Sequence, residues 1–198
     1  MKELELAKEK ALSLYGNSKW VKWVHEGALE ANTSIEKTIN ITLAVLSLWK
    51  HCPICFNLHG CCFPKNNMPN FPLHPRCHCI TVEIGGIYAQ ALCGIEKFEK
   101  YVFNSDKNKN RGKKHLFESW GYDIIDSQWL QEEFCRQARE KYEAGDFQLD
   151  FLNNYGQRIN IEIVLPRKDK IGTVKFLSGW LVYPNGVIRL TTPFAAKE

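Results

Sequence analysis

Apolar positions follow helical spacing early in the chain and strand spacing late. Residues 3–14 are strong helix formers that stop at Tyr15, Gly16 and Asn17, a natural C-terminal break. Trp20, Val24 and Ala28 then recur at i+4 with Trp23 beside them, so a second helix is expected over residues 18–30, its apolar stripe in the core. Thr33 and Glu36 suit a capping box, yet Ile39, Ile41 and Leu43 alternate as in a strand, and the pattern leaves that element open. The next stretch holds Pro53, Pro64, Pro69, Pro72 and Pro75, a density that predicts neither regular helix nor central strand.

A boundary is expected near Gly85 and Gly86. Beyond it, residues 95–103 and 113–120 read as short helices around a polar loop, residues 104–111. A longer helix follows, capped by Asp126 or Ser127, with Leu130, Phe134, Ala138 and Tyr142 at i+4 and Gly145 closing it. Ile159, Ile161 and Ile163 alternate with polar residues, Val174, Phe176 and Trp180 mark another strand, and Ile188 and Leu190 a third. Pro184, Asn185 and Gly186 supply a turn between the last two. The expected class is α+β: a helical N-terminal segment with a zinc-binding knuckle over residues 1–85, then a small domain of helices on an antiparallel sheet over residues 86–198.

Composition narrows the setting. An apolar content of 44% suits a globular chain, and the net charge of +4 is a mild excess that favours an encounter with phosphate. Lys107, Lys109, Arg111, Lys113, Lys114 and His115 concentrate that charge. The longest apolar run, residues 43–48, falls well short of the ~20 residues that cross a bilayer, and no signal peptide is visible at the N-terminus. The expectation is a chain with no membrane partner, cytoplasmic in a host cell or associated with a virion.

In a reducing compartment the eight cysteines read as metal ligands sooner than as disulfides. Cys52 and Cys55 form a C-x-x-C pair, which places two thiolates on one tight turn. His74, Cys77 and Cys79 offer the other half of a tetrahedral shell, and four of these five residues are expected to hold a structural Zn2+. Cys52, Cys55 and Cys79 lead the choice, with His74 and Cys77 competing for the fourth place. Such a site explains how a proline-rich segment becomes ordered, because metal binding contributes directly to folding. Cys93 and Cys135 lie outside the cluster, and Cys135 is expected as a small buried residue on its helix.

At Trp49, Cys52, Pro53, Ile54, Cys55, Leu58, His59, Gly60, Phe63 and the run His74, Pro75, Arg76, Cys77, His78, Cys79, Ile80, Thr81 and Val82, the chain resembles phage head-morphogenesis proteins. The resemblance is to the zinc motif of the Mu gpF-like minor head family, and it spans about residues 40–85. Residues 95–195 resemble a small uncharacterised domain of bacterial and phage proteins, through Lys113, Phe117, Gly121, Trp129, Leu130, the run Tyr155 to Arg158, Ser178, Gly179, Trp180 and the run Arg189 to Pro193. Its helix-then-sheet order is similar to the barnase, EndoU, colicin and RelE-like ribonucleases.

Strand alternation allows that idea to be framed in residues. If Ile159, Ile161, Ile163, Ile188 and Leu190 face the helices, then Arg158, Asn160, Glu162, Lys175, Arg189 and Thr191 line the other face. Metal-independent RNA cleavage needs a proton-transfer group and cations around phosphate. His115 is the only histidine beyond the knuckle; with Arg158 and Thr191 it makes the candidate catalytic set, and Lys113 and Arg189 are the candidate phosphate ligands. The expected function is a phage- or prophage-derived, head-morphogenesis-type zinc-binding protein with a ribonuclease-like C-terminal domain acting on RNA. The alternative is a non-enzymatic, zinc-stabilised binding protein whose partner is a phage or host protein.

Overall fold

Residues Trp20–His25 form a strand (β1), not part of the helix expected over 18–30. The i+4 spacing of Trp20 and Val24 is real, but Trp20, Val21, Trp23 and Val24 are all buried. A central strand covered on both faces buries consecutive residues, and aromatic and β-branched side chains favour it over a helix. The computed structural model describes residues 19–25, 52–75, 77, 79–106 and 112–195. The helix expected over residues 3–14, the open element around residues 33–43 and the basic residues 107–111 lie outside the described residues.

The fold is α+β. In the first compact unit, β1 is the middle strand of an antiparallel sheet, flanked by Cys62–Pro64 (β2) and Cys79–Ile84 (β3). Trp20 pairs with Pro64 on one side and Ile84 on the other, and His25 pairs with Cys79. The cysteine-rich stretch is more regular than its prolines predict, since Pro53–Leu58 is a short helix (α1). Pro53 opens α1, where a missing N–H costs nothing, and Pro64 ends β2, an edge strand.

This unit comprises the described residues up to Tyr88 together with residues 151–157 and 182–186, the turns of two later hairpins. Gly60 follows α1 with φ +79, and a Cβ there would stand 2.9 Å from the Pro184 Cβ. Its carbonyl accepts from the Asn185 N–H at 2.9 Å, and Lys22 Nζ donates to Asn185 Oδ1 at 3.2 Å. The Asn57 side-chain amide donates to the Asn154 carbonyl.

The second unit takes residues 89–150, 158–181 and the described residues from Val187 on. A five-stranded sheet runs through Gln90–Leu92 (β4), Gln148–Asn153 (β5), Gly156–Pro166 (β6), Thr173–Val182 (β7) and Val187–Ala195 (β8), in the order β4-β8-β7-β6-β5. β6 and β7 are antiparallel, but β4 pairs with β8 in parallel, so the sheet is mixed instead of a pure meander. A wide π-helical turn over Lys97–Val102 and the short helix Lys113–Glu118 (α2) precede the long helix Ser127–Ala144 (α3). Leu130, Phe134, Ala138 and Tyr142 on α3 are fully buried, and Gly145 ends it at φ 75.

Phe176 gathers the core. Its ring lies 5.1 Å from Trp120, 5.8 Å from Phe134 and 5.9 Å from Phe117, beside the buried Ile159, Ile161 and Ile163. α3 also closes the backbone of β6: Gln137 Nε2 donates to the Val164 carbonyl at 2.7 Å, and the Val164 N–H donates to Gln137 Oε1 at 2.9 Å. One side chain thus satisfies a donor and an acceptor that β5 is too short to reach. Gln137→Ala leaves both groups without that partner, at about 1–3 kcal/mol for each buried group, discounted because Val164 is only half-buried. A net loss of about 2 kcal/mol is expected, measured as a lower urea midpoint at unchanged slope.

Candidate metal centre

Three elements of the first unit bring metal-ligating side chains together. α1 contributes Cys55 from its interior and Cys52 from the residue before it, the loop ahead of β3 contributes His74 and Cys77, and β3 begins with Cys79. The ligand atoms of Cys52, Cys55 and His74 lie within 4.8 Å of one another, as do those of Cys55, Cys77 and Cys79. All five expected residues therefore sit close enough to hold a metal, and Cys55 belongs to both sets.

Donor spacing fits a tetrahedral ion. Zn–S bonds of about 2.3 Å set neighbouring sulfurs about 3.8 Å apart and a sulfur and imidazole nitrogen about 3.5 Å apart. Cys55 Sγ lies 3.6 Å from Cys77 Sγ and 3.1 Å from His74 Nε2. The second distance is a hydrogen-bond contact, which opens slightly when an ion replaces the shared proton. His74 Nδ1 lies 2.9 Å from the Pro75 carbonyl. A carbonyl only accepts, so the proton sits on Nδ1 and Nε2 presents its lone pair to the cluster.

The electrostatics are those of crowded thiols. Burial and the neighbouring thiols Cys79 and Cys77 push Cys55 far above the ordinary thiol range. Burial also pushes Cys52 and Cys77 upward, but hydrogen bonds override it and both end below the usual value: Cys52 through the backbone of Cys55 and Ile54, Cys77 through the backbone of Cys79 and Leu73. The Pro75 carbonyl holds the His74 imidazole above its usual value. Two thiols inclined to ionise beside two that resist, Cys55 and Cys79, is an arrangement that a cation would relieve.

The candidate catalytic and phosphate-binding residues all fall in the second unit. α2 packs through Phe117 on Phe176, which pairs with Ile163 on the helix-covered face. His115 is exposed on that helix, and Lys113 Nζ lies 5.4 Å over the Tyr101 ring. Arg158 and Asn160 alternate onto the opposite face. Arg158 Nε lies 3.0 Å from Asp150 Oδ2, and its guanidinium lies across Gly179, where any Cβ would collide with it. The Thr191 hydroxyl donates to the Gly179 carbonyl at 2.8 Å, Arg189 is exposed, and Glu162 lies 3.8 Å from Lys141. Thus Arg158 and Thr191 meet around Gly179, while the helix of His115 packs on the other side of the sheet.

A sequence profile described as a domain of unknown function, DUF6883, matches residues 86–197, more than half of the 198-residue chain. The chain belongs to the DUF6883 family. The DUF6883 match covers the region that resembles a small uncharacterised domain, whereas no head-morphogenesis or ribonuclease family matches. No curated protein and no solved structure matches the chain.

Within the DUF6883 region, sequence reasoning missed Asp150, because β5 carries no clear alternation, and Gln137, because its partner is 27 residues away. Cys135 is half-exposed instead of buried, and a hydrogen bond with Cys93 holds its thiol below the usual value. Among the described residues no helix is long and apolar enough to cross a membrane.

Because Cys55 belongs to both donor sets, Cys55→Ala should weaken metal binding more than Cys52→Ala or His74→Ala. Loss of a supporting group around a metal costs about 10–100-fold in affinity, and loss of the shared ligand should exceed that. Competition against a chromogenic chelator measures the order, and equal losses for the three variants would mean that Cys55 holds no special place.

Proposed function

We propose that the chain is a zinc-stabilised, non-enzymatic binding protein whose metal centre orders a surface for a protein partner. The observation that carries this reading is the convergence of four donors, from the start of α1, the loop before β3 and β3, on the Cys55 sulfur. An ion there fastens three short elements that have little core of their own. Sulfur and imidazole donors without a carboxylate suit zinc better than calcium or magnesium, which take oxygen ligands.

The fastened segments carry apolar side chains that face solvent. Phe56 on α1 is 50% exposed, Phe71 in the loop 45%, and Ile80 and Val82 on β3 43% and 44%. Ile80 and Val82 share one face of β3, opposite Val24 and Lys22 of the central strand. Exposed apolar residues clustered on metal-ordered elements suit protein recognition. The likeness of residues 40–85 to a head-morphogenesis motif suggests the setting, with a phage structural protein or a host protein as the partner.

The placement of the DUF6883 residues favours binding over RNA cleavage. A general base and phosphate cations must meet on one substrate. The helix of His115 packs on the sheet face opposite Arg158, and Arg158 already neutralises Asp150.

Elemental analysis of the purified protein should find about one zinc per chain, and chelation under reducing conditions should lower its melting temperature. Total RNA incubated with the protein should stay intact across pH and salt. Absence of metal with oxidised thiols would overturn the zinc reading, and RNA cleavage abolished by His115→Ala or Arg158→Ala would make the DUF6883 region a nuclease.

A further inference from the structure

Trp23 is fully buried on β1, and among the described residues its indole Nε1–H has no partner within hydrogen-bond geometry. An unmade donor in a dry interior is costly, so the group that faces it matters. Strand register places that group. His25 pairs with Cys79 and Trp23 with Thr81, so Trp23 and Cys79 stand on the same face of the sheet as diagonal neighbours, about 7–8 Å apart at the backbone and within reach of an indole. Both side chains are buried, Trp23 fully and Cys79 almost so, which leaves the Cys79 sulfur as the group on that face for the indole N–H to meet.

A neutral thiol is a weak acceptor, whereas a thiolate is a strong one. We infer that Trp23 is the positioning residue of the metal centre, its Nε1–H donating to the Cys79 sulfur once that sulfur is a metal-bound thiolate. The inference rests on the reading that this site holds an ion. When the ion arrives, the Cys79 S–H proton leaves to solvent, the metal–sulfur bond forms with the freed electron pair, and Trp23 keeps its own proton. The orphaned donor is satisfied and the thiolate charge is spread in the same step.

This bond also ranks the ligands. Cys79, supported from the core by Trp23, makes with Cys55 and Cys77 a fixed set of three sulfurs. Cys52 and His74 then compete for the fourth position, at the outer end of the cluster, where they line an open groove with Ile54, Leu73 and Leu152.

The test uses the full chain loaded with 113Cd and labelled with 15N. A through-bond coupling between 113Cd and the Trp23 indole proton is expected, transmitted across N–H···S–Cd. A loaded protein in which the assigned Trp23 indole shows no such coupling overturns the inference while leaving the metal site intact. Trp23→Phe supplies an independent readout in the Co2+-substituted protein. Loss of the donor leaves the thiolate more electron-rich, so the sulfur-to-cobalt charge-transfer band should move to longer wavelength and affinity should fall about 10–100-fold. A Phe variant that binds Co2+ with an unmoved band shows Trp23 to be packing only. A wild-type protein that takes up neither ion removes the metal reading and this inference together.

Discussion

The first unit depends on what happens at the Cys55 sulfur. Cys55 sits inside α1, buried, within reach of His74 on one side and Cys77 and Cys79 on the other. Without a cation, such crowding forces each thiol to keep its proton or repel its neighbours. With one, each sulfur becomes a bond between elements that share little else. α1 is six residues long and β2 three, both too short to be stable by themselves, since helices below about 12 residues are marginal in water. Ligand bonds and the pairing of β1 between two strands supply what local propensity does not.

The second unit is built on a different principle. Its order comes from burial: Phe176 collects rings from α2, α3 and the segment between them, and β6 alternates three fully buried isoleucines against a polar face. Gln137 deals with the remaining difficulty, the strand edge that a short β5 leaves bare. Exposed edges invite pairing with other chains, and covering the backbone with a side chain from a helix is one remedy.

Much of this was legible in the sequence where the period was long and unbroken. The helix with Leu130, Phe134, Ala138 and Tyr142 ends at Gly145, and the strands around Ile161, Phe176 and Ile188 fall where alternation put them. Legibility failed where two periods were compatible with the same residues. Trp20 and Val24 satisfy a helix at i+4, but with Val21 and Trp23 also apolar the pattern equally suits a doubly buried strand, and residue type then decides. β4 has three residues and pairs in parallel, and neither fact leaves a mark in the sequence. The ligands announced themselves through C-x-x-C spacing. The shared position of Cys55 did not, because it depends on how His74, 19 residues further on and beyond β2, returns to α1.

The polar sheet face shows why residue type alone does not define a site. Arg158, Asn160, Arg189 and Thr191 are the residues one would choose to hold a phosphate, and alternation does keep them away from the isoleucines. Yet Arg158 and Thr191 are already engaged within the face. Gly179 leaves room for the Arg158 guanidinium to lie flat on the strand, Asp150 neutralises its charge from β5, and the Thr191 hydroxyl is spent on the Gly179 carbonyl. For phosphate to bind Arg158 it would have to displace a carboxylate held at 3.0 Å in a half-buried setting, where ion pairs are screened less than at the open surface. An arginine laid over a glycine and paired in this way fixes the register of three strands; its chemistry is directed at the fold and not at a ligand.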